Sequence, residues 1–249
     1  MKINYVSLCS GYGAECIAFK RLKRDYPDFD FECLAWSEIE PSAIKAHDAI
    51  HPEYAGRNLG DMTTCDYSQV GTPIDVLFYS TPCQSVSNAG KNAGMKKGDD
   101  SAASALIWHT ERAIRELHPR ICILENVRGM VSKRNKPDFD EWCKVLESYG
   151  YTNYWQILNA KDYGVAQNRE RVFMISILGE HQPYNFPAPM PLTKCVEDYM
   201  EPAEEIDESY FISQDRVTNK VLSDILDQPN VRAEMEKLYH EEWSKANRH

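Results

Sequence analysis

Three short stretches of this chain carry side chains that could do chemistry together. In Ser80-Thr81-Pro82-Cys83-Gln84, a thiol follows the apolar run Ile74, Val76, Leu77 and Phe78. A thiolate is a strong nucleophile, but a free cysteine stays inert until its surroundings lower its pKa, so Cys83 needs partners from elsewhere in the chain. The second stretch, Glu125-Asn126-Val127, directly follows Ile121, Cys122, Ile123 and Leu124 and offers a carboxyl group that can hold or move a proton. In the third, Gln167, Arg169 and Arg171 recur at spacing two, so an extended backbone would project all three to one side.

The elements that must position these groups can be read from the apolar pattern. Ile74 to Phe78 is rich in branched and aromatic residues and ends abruptly in Thr-Pro, which predicts a buried strand leaving its sheet just before Cys83. A helix from Ser104 to Leu117 joins it to the next strand, Ile121 to Leu124. Two parallel strands linked in this way place Cys83 and Glu125 on the same sheet edge, where open α/β sheets bind ligands.

Upstream, a strand of Ile3, Tyr5, Val6 and Leu8 runs into Ser10-Gly11-Tyr12-Gly13-Ala14 and a helix bearing Ile17, Ala18, Phe19 and Leu22. A glycine turn between strand and helix lets a ligand approach the backbone near the positive helix end. It lacks the later glycines of the dinucleotide fingerprint and the Gly-Lys-Ser/Thr of a P-loop, so by itself it is a cradle or only a turn. The strand Phe31 to Trp36 ends in Ser37-Glu38-Ile39-Glu40, with Pro41 opening a helix through His47. Glu38 stands where a carboxylate often holds ribose hydroxyls, and a plain helix N-terminal acid is the alternative. In Gly60-Asp61-Met62, Asp61 could accept from an exocyclic amine or be a solvated loop acid.

After Cys83, about twenty mostly polar residues containing Ser87, Asn88, Lys91, Lys96 and Lys97 read as a lid or binding loop. A second basic loop holds Arg128, Lys133, Arg134 and Lys136. A helix with Phe139, Trp142, Cys143 and Leu146 and strands at Tyr154 to Leu158 and Val172 to Leu178 complete an α/β pattern. A Rossmann-like, mostly parallel sheet with helices on both faces is expected.

Composition narrows the function. The 249 residues can bury one sizeable core, and a net charge of −10 disfavours general attraction to a polyanion, so any nucleic-acid site must be a local basic patch. The eight cysteines are scattered singly, with no Cys-x-x-Cys and no Cys/His cluster, which favours reduced thiols and no metal site. No run of about 18 apolar residues occurs, and Met1-Lys2-Ile3-Asn4 opens no signal-peptide pattern, so a cytoplasmic protein is expected.

With these residues in hand, the chain resembles the cytosine-C5 DNA methyltransferases, which use S-adenosyl-L-methionine and release S-adenosyl-L-homocysteine. Pro82-Cys83-Gln84, Glu125-Asn126-Val127 and Gln167-x-Arg169-x-Arg171 match the family's catalytic motifs in order, and Ser10-Gly11-Tyr12-Gly13, Glu38 and Asp61 match its cofactor motifs, over residues 3 to about 178. The resemblance implies that Cys83 attacks C6 of a cytosine flipped out of DNA and that Glu125 holds or protonates N3. It further implies that Arg171 binds the O2 edge while Gln167 and Arg169 brace the pocket. Flipping is required because a stacked base presents no accessible face. Cofactor contacts would come from Cys9, Ser10, Gly11, Tyr12, Gly13, Glu38, Ile39, Asp61, Met62 and Pro82. Substrate contacts would come from Gln84, Ser87, Asn126 and Val127.

The chain also departs from the family. Ala102-Ala103 replaces an arginine usual there, and Ser80 and Thr81 replace the glycine and aromatic residue usual before Pro-Cys. The target-recognition domain and the last two motifs, with their C-terminal Gly-Asn segment, are missing from the expected order. A catalytic domain over 1–185 followed by a linker and helical tail over 186–249 is therefore expected. Phe186-Pro187-Ala188-Pro189-Met190-Pro191 would be the stiff linker, and Val217, Val221, Leu222, Ile225, Val231, Met235, Leu238 and Trp243 recur at helical spacing. Such stripes could dock a second subunit or second copy supplying target recognition, or pack on the domain's own sheet. A non-catalytic regulatory or decoy subunit, or an enzyme acting on RNA or a nucleotide, are the alternative readings.

Overall fold

A computed structural model of the chain describes residues 2–71, 73–82, 95, 106–202, 205–207 and 237. The chain divides into two compact units, Met1–Cys195 and Val196–His249. In the second, the described residues include a single 3₁₀ turn, Val196–Tyr199. The amphipathic helices expected over Val217 to Trp243 lie outside the described residues.

The first unit strings its elements in the order β1 (Lys2–Leu8), α1 (Ala14–Asp25), β2 (Asp30–Ser37), α2 (Pro41–Ile50), β3 (Val76–Tyr79), α3 (Leu106–Leu117), β4 (Ile121–Val127), α4 (Lys136–Ser148), β5 (Tyr151–Asn159) and β6 (Glu170–Leu178). The strands form one sheet in the order β2-β1-β3-β4-β6-β5. β2, β1, β3 and β4 pair in parallel, and β6 runs antiparallel to both β4 and β5. The expected α/β class is observed. The strand order reverses between β1 and β3, and in open α/β sheets ligands bind outside such a switch point.

Period-two alternation builds a core on each face of the sheet. Tyr5 of β1, Val76 and Phe78 of β3 and Ile121 and Ile123 of β4 join Cys16 and Phe19 of α1 in one cluster. Val6 and Leu8, Leu77 and Tyr79, Cys122 and Leu124 join Ile107 and Ile114 of α3 and Phe139, Trp142 and Leu146 of α4 in the other. Both faces of the central strands are thus covered, which is why these strands read as continuous apolar runs.

The proline-rich stretch 186–191, expected to be a linker between domains, lies inside the first unit. Its backbone is fastened there: Tyr163 Oη donates to the Pro187 carbonyl at 3.0 Å, and the Met190 N–H donates to the Asp162 carbonyl at 2.8 Å.

Tyr79, fully buried, accepts a hydrogen bond from the equally buried Trp142 Nε1 at 3.1 Å, tying β3 to α4. Replacing Tyr79 by Phe keeps the ring but orphans that indole N–H. The expected loss is about 1–3 kcal/mol of unfolding free energy, read as a lower urea midpoint at unchanged slope.

Candidate active site

The carboxyl ends of β1 and β2 form a cradle. Cys9 and the glycines at 11 and 13 hold left-handed backbone, with φ of 53°, 55° and 77°, a conformation that favours glycine. A Cβ on Gly13 would stand 2.8 Å from the His51 ring and 2.9 Å from the His47 ring, so no larger residue fits. A Cβ on Gly11 would meet nothing within 4 Å: that side of the turn is open.

Glu38 links the turn to β2. Its Oε2 accepts from the Gly11 N–H at 3.0 Å, and its Oε1 accepts from the N–H groups of Ile39 and Glu40 at 2.8 and 3.0 Å. Glu38 thus ties the glycine turn to the segment before α2, whose own N-cap is Glu40, accepting from the Ser42 N–H. Asn58 fixes the Glu38 backbone in turn, accepting from the Glu38 and Gly60 N–H groups at 3.1 and 2.9 Å and donating to the Glu38 carbonyl at 3.0 Å. Beside it, Ile39 is 68% exposed, an apolar surface at the cradle's rim.

Asp61 accepts from the N–H and the hydroxyl of Thr63, both at 2.8 Å, and these bonds hold its carboxyl below the usual range. Met62 is buried with its sulfur 3.5 Å from Cys9 Sγ. Burial pushes the Cys9 thiol up to about 12, helped by the nearby Glu38 and Asp61 carboxylates, so Cys9 is a wall rather than a nucleophile. Arg112 of α3 holds this wall by donating to the Met62 and Cys65 carbonyls at 2.9 and 2.8 Å.

A second cavity, of about 280 Å³, opens at the end of β4 and is lined by Glu125, Leu158, Asn159, Ala160, Tyr163, Arg169, Arg171 and Phe173. The register explains the convergence: Glu125 pairs with Phe173 and Val127 with Arg171 across β4 and β6, and Leu158 pairs with Arg171 across β5 and β6. Arg171 Nε lies 3.2 Å from Glu125 Oε1. Burial raises the Glu125 pKa, and the Arg171 and Arg169 guanidinium groups oppose that rise.

The two regions are joined at the β3 exit. Asn126, 3% exposed, donates from Nδ2 to the Thr81 carbonyl at 2.9 Å and accepts at Oδ1 from the Val127 N–H at 2.9 Å. Thr81-Pro82, immediately before Cys83, is thereby pinned beside Glu125. Ser10 Oγ at the cradle and Thr81 Oγ1 at this exit are buried without a hydrogen-bond partner among the described residues. Cys83, Gln84 and Ser87 lie outside the described residues.

Of the three residues expected on one side of an extended segment, Arg169 and Arg171 line the cavity and Gln167 does not. β6 begins at Glu170, and Gln167 sits in the preceding turn with its N–H on the Val165 carbonyl at 2.6 Å. The spacing-two series continues the other way, to Phe173. That continuation was legible in the sequence, as Asn58 and His51 were not, because Glu38 and Gly13, which they hold, lie 20 and 38 residues away. Of the second basic loop, Arg128 pairs with Glu170 at 2.8 Å and Lys136 with Asp140, which leaves Lys133 and Arg134 as its exposed cations beyond these pairs.

Comparison with known proteins agrees with this geometry. The chain is 37% identical over 171 residues to the type II methyltransferase M2.ScrFI of Lactococcus lactis subsp. cremoris, covering 68% of this chain and 46% of that protein. It is 42% identical over 118 residues to the orphan methyltransferase M.SssI of Spiroplasma monobiae, covering 46% of this chain and 30% of that one. The chain thus spans less than half the length of these relatives. The fold is shared with the Entamoeba histolytica methyltransferase EhMeth, at a TM-score of 0.65 and 20% identity, covering 88% of this chain and 66% of that one. The profile of the family described as C-5 cytosine-specific DNA methylase matches residues 3–249, beyond position 178 where the motifs end, and the chain belongs to that family.

Proposed function

We propose that this chain transfers a methyl group from S-adenosyl-L-methionine to C5 of cytosine in DNA through a covalent bond between Cys83 and C6. The observation that carries the reading is the Glu125–Arg171 pair inside the cavity at the β4 end, with the β3 exit into Cys83 fastened beside it by Asn126.

The cradle fits the cofactor on its own terms. The open side of Gly11, the unpartnered Ser10 hydroxyl, the Glu38 carboxylate and the exposed Ile39 offer a backbone approach, a polar contact, a ribose acceptor and an apolar plate. When bound, the cofactor supplies a methyl group on a sulfonium, which carbon C5 accepts once it is electron-rich. The chain's residues make it so. The Cys83 thiolate forms a bond to C6, the ring electrons move toward N3, and Glu125 provides the proton there. Arg171, fixed by Glu125, holds the O2 edge. Water then takes the C5 proton, the electrons of that C–H bond form the C5–C6 double bond and expel the thiolate, and the N3 proton returns to Glu125, which restores the ring. A carboxyl raised by burial keeps its proton to higher pH than a free glutamate and so can serve as this acid.

Target recognition is assigned to a second subunit or second copy. With a net charge of −10, phosphate contacts fall to local basic loops, which position a duplex without reading base edges.

Three outcomes are expected. DNA containing 5-fluorocytosine should trap a covalent adduct with the active wild-type assembly and none with Cys83→Ser. Demonstrated turnover without an adduct would remove Cys83 as nucleophile, and an adduct with RNA alone would move the substrate. Glu125→Gln should slow single-turnover methylation by about 10²–10⁴-fold with cofactor affinity kept. Calorimetry should show Glu38→Ala weakening S-adenosyl-L-homocysteine binding by about ten- to a hundredfold, the size of a lost charge-assisted hydrogen bond.

A further inference from the structure

Behind the cradle lies a group of side chains that the reaction does not use. His51 is fully buried, and its Nε2 stands 3.1 Å from the Tyr12 carbonyl and 3.0 Å from the Gly13 carbonyl. Carbonyl oxygens only accept, so Nε2 carries the proton. On the other side of the ring, Nδ1 lies 3.0 Å from Lys20 Nζ, an ammonium that only donates, so Nδ1 is bare. Lys20 is itself held by Glu53 at 2.7 Å. His47 packs the ring from the side at 5.0 Å between centroids and stacks on Trp36 at 3.8 Å. The donor atoms of Cys16, His51 and Glu53 lie within 4.8 Å of one another, as metal ligands would, but the Lys20 ammonium contacts both His51 and Glu53 and supplies the positive charge there.

We propose that His51 is a positioning residue for the cofactor turn: its Nε2–H, held in that tautomer by Lys20 and Glu53, anchors the Tyr12 and Gly13 carbonyls and so keeps Gly11 and Gly13 in their left-handed shape. The inference rests on the reading that this turn holds the methyl donor. It differs from an ordinary packing role because the anchor depends on a protonation state. The groups facing His51 are Lys20 and Cys16 from α1, His47 from α2, itself 3.9 Å from Asp48, and Glu53 from the turn Pro52–Tyr54. Burial and Lys20 lower the His51 pKa, while the turn's carbonyls and Glu53 raise it. A proton arriving at Nδ1 in acid would set a second donor against the Lys20 ammonium and break the chain. Cofactor affinity should therefore be level at neutral pH and fall as pH drops through the folded-state pKa of His51.

The test is calorimetric titration of the full chain with S-adenosyl-L-homocysteine across pH, with thermal melts in parallel. His51→Leu should weaken binding about tenfold or more, as expected when buried carbonyls lose their donor, and His51→Gln, whose amide can donate, should restore most of it. Lys20→Met should move the acid limb of the affinity curve to higher pH, because it removes the charge opposing protonation and leaves Glu53 favouring it. A merely structural role would not move that limb. If His51→Leu fails to fold, His51→Gln and Lys20→Met decide. Wild-type affinity in His51→Leu while Glu38→Ala loses binding, or a Lys20→Met curve superimposed on wild type, overturns the inference alone. Binding by the wild type that Glu38→Ala leaves intact overturns the reading of the turn as the cofactor site, and this inference with it.

Discussion

One buried amide determines how the rest of the site can work. Asn126 joins the exits of the two central parallel strands by donating to the Thr81 carbonyl, and it does so where neither strand can hydrogen-bond the other any longer. Without it, the Thr81-Pro82 exit of β3 and the Glu125 end of β4 would lose the side-chain bond that sets their relative position. Because the amide is 3% exposed, the bond operates out of competition with water, where losing it leaves a bare donor and a bare acceptor.

The two cavities follow different physical rules. The cradle is made of backbone: a carboxylate that gathers three N–H groups, glycines that expose the main chain, and an asparagine that fixes the backbone of Glu38. It is preorganised by hydrogen bonds already made. The pocket at the β4 end is made of side chains from β4, the end of β5 and the start of β6, with the Glu125–Arg171 pair and Arg169 set among apolar and neutral residues. Its behaviour is set by the competition between burial, which favours the neutral acid, and two guanidinium groups, which favour the carboxylate.

How much of this was legible in the sequence depends on the range of the interaction. Strands that alternate apolar residues over two covered faces, and glycines that take left-handed backbone, leave local signatures, and so the strands and the glycine turn could be anticipated. Gln167 could not be separated from Arg169 and Arg171 by spacing alone, since the strand's first residue is set by pairing with β5, where Asn159 meets Glu170. The proline-rich stretch read as a linker because composition reports stiffness, whereas its fastening to Tyr163 and Asp162 is a tertiary fact. His51 carried no signal at all: a histidine at the end of a helix looks like any other until the turn it touches is brought 38 residues back through space.

The sheet's order has a consequence for how such a protein can change. The cradle gathers on β1 and β2, the cavity on β4, β5 and β6, and β3 stands between them. Substitutions in the cavity therefore share few neighbours with those in the cradle, and energies at separated sites add. Either region can thus be retuned without detuning the other, so long as the Asn126 bond between them is kept.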